Sequence, residues 1–367
     1  MKPEVATVLQ VLGEKVEDLG LNTWQLATLR AIKNCRTAAL GGHIDACDSC
    51  GNMSISYNSC RNRHCGKCQG HKREEWMNAR MGELLPVPYF HVVFTLPSEL
   101  NQACLYNPKV LYDSLFAASW QTLNAFGKDK GLKMGMIALL HTWGQNLSLH
   151  PHLHCIVPGG GVNQLGRWQN LRSNGKFLFA VRAMSRVFRA KFMACLKGQI
   201  ELEKPLRETL FTKEWVVYAK RPFGNTASVL EYLGRYSHKI AISNHRIKSL
   251  TNTEITFTYK DYKTQGTKKE MTVHPSEFIR RFEQHILPKG FCKIRHYGML
   301  SSCWKKVKLK NLQVQLKAKI PIPKTTLHQV CRCCKVGKLR TILNFDHRGP
   351  PAQWYDLLKN KPTPSQP

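Results

Sequence analysis

Acidic residues are scarce in this chain: 24 Asp and Glu stand against 55 Lys and Arg, for a formal charge of +31. Solvation of one face does not account for such an excess. It points to a polyanionic partner, because each neutralised phosphate releases condensed counterions. Long apolar runs are also missing. None approaches the roughly 20 residues that cross a bilayer, and no polybasic amphipathic stretch stands out for an acidic membrane surface. The first residues, Met1-Lys-Pro-Glu-Val-Ala-Thr, have no long apolar core of the secretory kind. The expectation is therefore a cytoplasmic, nucleoid-associated protein with DNA as partner and no membrane. No Walker-type Gly-Lys-Ser/Thr loop is present, so nothing suggests an ATP-driven motor. There is no internal repeat.

What is present begins with cysteine. Fourteen of them in an intracellular chain read as metal ligands and buried thiols, not disulfides. Cys47-Asp-Ser-Cys50 and Cys65-Gly-Lys-Cys68 are two Cys-x-x-Cys knuckles with fourteen residues between them. Each knuckle can turn two thiolates onto one ion, and the pair completes a tetrahedral Zn2+ site. Cys35, His43, Cys60 and His64 share this window as further candidate zinc ligands. A segment this polar buries little apolar surface, so the metal supplies its folding energy. Arg61, Arg63, Lys72 and Arg73 surround the knuckles and suit a DNA backbone. Near the other end, Cys331-Arg-Cys333-Cys334 reads as a single degenerate half-site, lacking the glycine expected after a knuckle.

The second constellation is His150-Pro-His152-Leu-His154. Residues two apart in a strand share a face, so His152 and His154 aim together while Leu153 enters a core. Gln145 is the expected third ligand, carried by a turn to the end of the preceding strand, with His141 and His150 as competitors. Such an N,N,O set with open positions suits Mg2+ or Mn2+ holding a phosphate. Downstream, Tyr232 and Tyr236 are four apart and share a helix face. A phenol with a pKa near 10 is a poor nucleophile until a metal polarises the phosphate it attacks. Lys220, Arg235, Lys239 and Arg246 flank the pair and suit a phosphate backbone.

Periodicity predicts helices over 1–34, 71–85, 108–126, 183–196, 226–236 and 275–285. Strands are predicted over 89–96, 136–143, 151–157, 214–219, 240–244 and 255–259. This is an α+β pattern close to ferredoxin-like, an antiparallel sheet with helices. Three regions follow: a helical, zinc-binding DNA-contact domain over 1–85, a catalytic domain over 86–302, and a basic linker with a Pro-rich disordered tail over 303–367.

His-hydrophobe-His followed by Tyr-x-x-x-Tyr, behind a cysteine-rich head, resembles the two-tyrosine HUH transposases of insertion-sequence family ninety-one. Asn58-Ser-Cys-Arg-Asn-Arg-His-Cys65, Tyr89-Phe-His-Val-Val-Phe-Thr-Leu-Pro97, His141-Thr-Trp-Gly-Gln145 and Tyr232-Leu-Gly-Arg-Tyr-Ser-His238 carry the likeness in order. The resemblance implies an HUH-endonuclease core and rolling-circle transposition through single-stranded DNA. His152 and His154 would be the HUH ligands, Tyr232 and Tyr236 the nucleophiles, and Cys47, Cys50, Cys65 and Cys68 part of the zinc head. Two other readings stand beside it: a replication initiator or relaxase of the same chemistry, and a non-catalytic zinc-ribbon regulator.

Overall fold

The computed structural model describes residues 2–171, 178–220, 223, 226–318 and 330–354, without the side chains of 71, 226, 227, 230, 231, 233, 235 and 263. The chain opens with α1 (Val5–Leu12) and α2 (Thr23–Lys33), then β1 (Gly42–Cys47), β2 (Met53–Tyr57) and α3 (Gln69–Met81). A capping box starts α2: Asn22 accepts from the Gln25 amide and the Gln25 side chain accepts from the Asn22 amide. Next come β3 (Tyr89–Thr95), α4 (Asn101–Tyr106), α5 (Pro108–Lys128), β4 (Gly135–Trp143), β5 (Leu149–Pro158), β6 (Gly160–Val162) and β7 (Trp168–Asn170). They lead to α6 (Val181–Leu196), α7 (Lys204–Thr212), β8 (Val217–Lys220) and α8 (Thr226–Ser237). The last elements are β9 (Ile247–Leu250), β10 (Ile255–Asp261), β11 (Thr267–Val273), α9 (Pro275–Glu283), β12 (Ile294–Gly298), α10 (Ser302–Lys305), α11 (Lys308–Gln315) and β13 (Leu339–Phe345).

The central sheet has the order β12-β4-β5-β3-β8, antiparallel throughout. Counting only β3-α5-β4-β5-α6-β8, the strands lie fourth, first, third, second, which is the ferredoxin-like arrangement expected; β12 is an addition outside β4. Alternation along the strands divides the sheet into two faces. Phe90, Val92 and Phe94 of β3, Met136, Ala138 and Leu140 of β4, and Leu153, Cys155 and Val157 of β5 pack against Leu111, Leu115 and Phe116 of α5 and Phe188 and Phe192 of α6. The opposite face carries Tyr89, Ile137, Leu139 and Ile156, covered by Val229 of α8 and Leu309 and Leu312 of α11. A third cluster joins α1 and α2 to the meander β9-β10-β11 and α9, through Leu9, Leu29, Phe257 and Phe278.

Three expectations differ from the structure. Residues 240–244 form no strand: Ala241 and Ile242 drop from an irregular turn into the third cluster, and the strand starts at Ile247. Two apolar residues plugging a core give the same local signal as a short buried strand. The stretch from 303 is not all linker, since α11 is buried through Leu309 and Leu312 and Gln313 donates to the Gly82 carbonyl at 2.8 Å. The region beyond 330 folds back to the beginning of the chain, where β13 pairs with β1. The Ile320-Pro-Ile-Pro linker and most of the Pro-rich tail lie outside the described residues. Among the described residues no helix is long and apolar enough to cross a membrane.

Gly298 closes β12 with φ +57°, and a Cβ there would lie 2.0 Å from the Met134 carbonyl oxygen. Left-handed strain and overpacking act together at this position. Gly298→Ala is expected to destabilise the fold by about 2–4 kcal/mol, read as a lowered urea midpoint; an unchanged midpoint would contradict the packing described.

Candidate active site

Four histidines emerge from three adjacent strands on the sheet face opposite α5 and α6. In β4 and β5 the register pairs His141 directly with His152, and Leu139 with His154. His141, His152 and His154 therefore converge, with one ligand atom from each lying within 4.8 Å of the others. The expected third ligand, Gln145, lies within the turn joining the strands, closed by the Gly144 amide donating to the Ser148 carbonyl at 2.8 Å. Its own carbonyl accepts from Arg246. Counting outward from a 144–148 turn would set Leu140 opposite His152; the bulge between His141 and Trp143 shifts the register by one residue and brings His141, the competitor of Gln145, to that place. The other competitor, His150, contributes its carbonyl, which accepts from His152 Nδ1 at 2.7 Å.

Hydrogen bonds set the ring orientations. Donation from His152 Nδ1 leaves Nε2 for a metal. His141 donates Nε2–H to the Tyr236 carbonyl at 2.9 Å, which leaves its Nδ1 free. His154 Nδ1 lies 2.9 Å from His91 Nε2. Burial holds His141 and His154 well below the ordinary imidazole range and lowers His152 and His91 to about 4. All four are neutral at pH 7, the form that binds metal. Three imidazoles are a softer donor set than two imidazoles and an amide oxygen, so a metal held here would more readily be Mn2+ than Mg2+.

His91 was not singled out in the sequence. Its signal was present, as a histidine on the face of β3 opposite Phe90, Val92 and Phe94. In register His91 sits across from Ile156, so it meets His154 on the diagonal.

The tyrosine pair lies over these rings. Tyr232 and Tyr236 stack with centroids 4.4 Å apart; Tyr236 is 4.3 Å from His154 and Tyr232 is 4.6 Å from His91. Tyr232 Oη is 2.7 Å from His91 Nε2, within donating distance. Burial, then the neighbouring Tyr236, pushes the Tyr232 phenol up, so it is held protonated. Gly234, between the tyrosines, lies where α8 crosses α3: a Cβ there would sit 2.1 Å from Met77 Sδ.

The cysteines divide differently from the expected pairing of Cys47 and Cys50 with Cys65 and Cys68. One quartet is Cys35, Cys60, Cys65 and Cys68; the other is Cys47, Cys50, Cys331 and Cys334. A tetrahedral Zn2+ with bonds of about 2.3 Å separates its sulfurs by about 3.8 Å. In the first quartet Cys35 Sγ to Cys68 Sγ is 3.5 Å and Cys60 Sγ to Cys68 Sγ is 3.6 Å. His43 and His64 belong to neither quartet. His43 pairs with Asp45 at 3.4 Å, and His64 Nε2 accepts from the Leu287 amide at 3.3 Å. Linear spacing could not reveal this sorting, because the completing pair lies 281 residues away.

Comparison with known proteins completes the picture. A family model described as "Putative transposase" matches residues 135–308, and one described as "Transposase zinc-binding domain" matches residues 8–96. The chain is 40% identical to "Putative transposase y4qJ" of Sinorhizobium fredii, over 96% of this chain and 98% of that protein. It is 30% identical to the transposase for insertion sequence element IS801 of Pseudomonas savastanoi pv. phaseolicola, over 81% of this chain and 75% of that protein. The chain belongs to the transposases of insertion-sequence family ninety-one. No solved structure matches it. The zinc-binding match spans the whole first quartet, and the two agree on zinc as the transposase's structural metal.

The basic residues expected at DNA fall into two groups. Arg61, Arg73, Lys220 and Lys239 are exposed, and Lys239 Nζ lies 5.3 Å above the Tyr236 ring. Lys72 donates to the Arg61 carbonyl at 2.7 Å; Arg63 donates to the Phe291 carbonyl, and Arg246 to the Thr258 carbonyl at 2.7 Å. These last three are at least partly structural. The side chain of Arg235 lies outside the described residues.

His141→Ala in the transposase is expected to weaken Mn2+ binding by at least about tenfold, since loss of an outer-shell partner alone costs that much. Gln145→Ala should leave it nearly unchanged. Calorimetric titration checks both, and the reverse order would restore Gln145 as the ligand.

A second expectation concerns acid. His91, His152 and His285 titrate near 4 in the fold against an ordinary value of 6.5, with burial as the main cause. The unfolded chain takes up protons that the fold refuses, so stability is full above about pH 6.5 and falls as pH drops toward 4. Urea melts of metal-free protein across this window should show a declining midpoint.

Proposed function

We propose that this transposase nicks and rejoins single-stranded DNA at element ends through a 5′-phosphotyrosine intermediate, as in rolling-circle transposition. The observation that carries the reading is the seating of two stacked phenols on a cluster of neutral imidazoles. His141, His152 and His154 would hold the Mn2+ or Mg2+. Such an ion supplies charge neutralisation at the scissile phosphate.

The protein's own groups then do the following. Exposed Arg61, Arg73, Lys220 and Lys239 draw the backbone in. Tyr232 or Tyr236 attacks: its Oη–P bond forms, the bond from phosphorus to the 3′ oxygen breaks, and the 3′-hydroxyl leaves with a proton. For Tyr232, His91 Nε2 is the nearby acceptor for the phenolic proton. The phosphotyrosine conserves the energy of the broken bond, so attack by a 3′-hydroxyl rejoins strands without ATP. The second tyrosine lets a second strand be taken before the first is released. Cys35, Cys60, Cys65 and Cys68 would hold Zn2+ and stiffen the head beside α3, whose contact with α8 sets the height of the tyrosines above the histidines.

Tyr232→Phe with Tyr236→Phe is expected to abolish covalent adducts on labelled hairpin-ended oligonucleotides carrying candidate element ends. EDTA should do the same to the native protein. Adducts at undiminished yield from the double variant would remove the tyrosines from the mechanism. DNA binding without nicking in both Mg2+ and Mn2+ would favour a non-catalytic regulator.

A further inference from the structure

The head of the molecule is assembled from both ends of the chain. β1 pairs with β2 on one side and with β13 on the other, so residues 42–57 and 339–345 share one three-stranded sheet. The head is shaped for this late arrival. A Cβ on Gly41 would lie 2.4 Å from the Phe345 carbonyl oxygen, and one on Gly42 would lie 2.5 Å from the Phe345 ring. Asp48 Oδ1 accepts from the Lys338 amide at 2.8 Å, and Asp45 Oδ1 accepts from the Thr341 hydroxyl at 2.8 Å.

At the end of this sheet the second thiol quartet closes. Cys47 Sγ is 3.6 Å from Cys334 Sγ and Cys50 Sγ is 3.8 Å from Cys331 Sγ, close to the edge of about 3.8 Å that a Zn2+ tetrahedron requires. All four thiols are free. The two halves also share one backbone design. The Gly51 amide donates to the Cys47 carbonyl at 3.1 Å, and the Lys335 amide donates to the Cys331 carbonyl at 3.0 Å. Gly51 has φ +66° and Lys335 has φ +60°, so a lysine takes the left-handed turn that glycine takes in the first knuckle. That substitution is why Cys331-Arg-Cys-Cys334 reads as degenerate in the sequence. Sulfur accepts from backbone in both halves: Cys47 from Ser49 and Cys50 at 3.4 and 3.5 Å, Cys331 from Cys333 at 3.4 Å, and Cys334 from Gly337 at 3.3 Å. Cys331 and Cys334 lie beyond both matched regions, which end at residues 96 and 308.

We propose that Cys47, Cys50, Cys331 and Cys334 bind a second Zn2+, which clasps the C-terminal segment to the N-terminal head and closes the chain around the catalytic body. Four sulfur–zinc bonds form and the thiol protons pass to solvent; no oxidant is involved. Exposed Arg332, Lys335, Lys338 and Arg340 offset the net negative charge of a four-thiolate site. The clasp does not depend on the nicking chemistry, and its test does not read activity.

The test is zinc content of the full chain by elemental analysis, with alkylation mapping of the cysteines by mass spectrometry. The wild-type chain should carry two Zn2+, and C331S/C334S and C35S/C60S one each. In the first variant, trypsin should cut the basic segment 330–340 much faster than in the wild type. If that variant does not fold, mapping of the native protein still decides. Cys47, Cys50, Cys331 and Cys334 should resist iodoacetamide as a set and become reactive together on chelation, while exposed Cys292 and Cys303 react throughout. Two Zn2+ retained in C331S/C334S, or these four thiols reacting freely in the zinc-loaded wild type, would overturn the clasp.

Discussion

The register of the β4–β5 hairpin is the constraint on which the site rests. With side chains alternating at period two, a slip of one residue in β5 would send His152 and His154 into the α5–α6 core and bring Leu153 out of it, and the same slip in β4 would exchange His141 for Leu140. The cost of unburying those apolar side chains therefore protects the register, and the register aligns the imidazoles. The core holds the site in place without touching the reacting atoms. The bulge between His141 and Trp143 is part of that register, because it is what sets His141 opposite His152.

Electrostatics adds a second layer. The face that gathers these imidazoles belongs to a chain of charge +31, and nearby Lys239 and Lys293 add to burial in keeping the rings neutral. A positive surround that resists protonating histidine also makes room for anions. In the proposed reaction a metal and a phosphate would bring charges of opposite sign into a place the protein leaves uncharged, so binding of one would favour the other.

Much of this was legible in the sequence where the signal is local. The strand at Tyr89–Thr95, the long helix after Asn107 and the shared face of His152 and His154 follow from periodicity, and so does the pairing of Tyr232 with Tyr236 along α8. What was not legible depends on return paths. The place of His141 required the length of one turn and the bulge beside it. His91 required a third strand to arrive beside β5. The sorting of the cysteines required the last strand of the chain to return to the first sheet, and proximity in sequence favoured the wrong partners. The turn at 240–244 shows the complementary failure, since a short apolar pattern reports burial without saying which backbone shape delivers it.

The pairing of β1 with β13 also bears on how the molecule comes into being. A ribosome releases the head's first strands long before the segment that completes them. Through the synthesis of the whole catalytic body, β1 has one edge with unpaired amides and carbonyls, and Cys47 and Cys50 wait for Cys331 and Cys334. An open edge of that kind invites pairing with other chains. The nascent protein therefore passes most of its elongation with its beginning unfinished, and only a chain made through Phe345 can finish it.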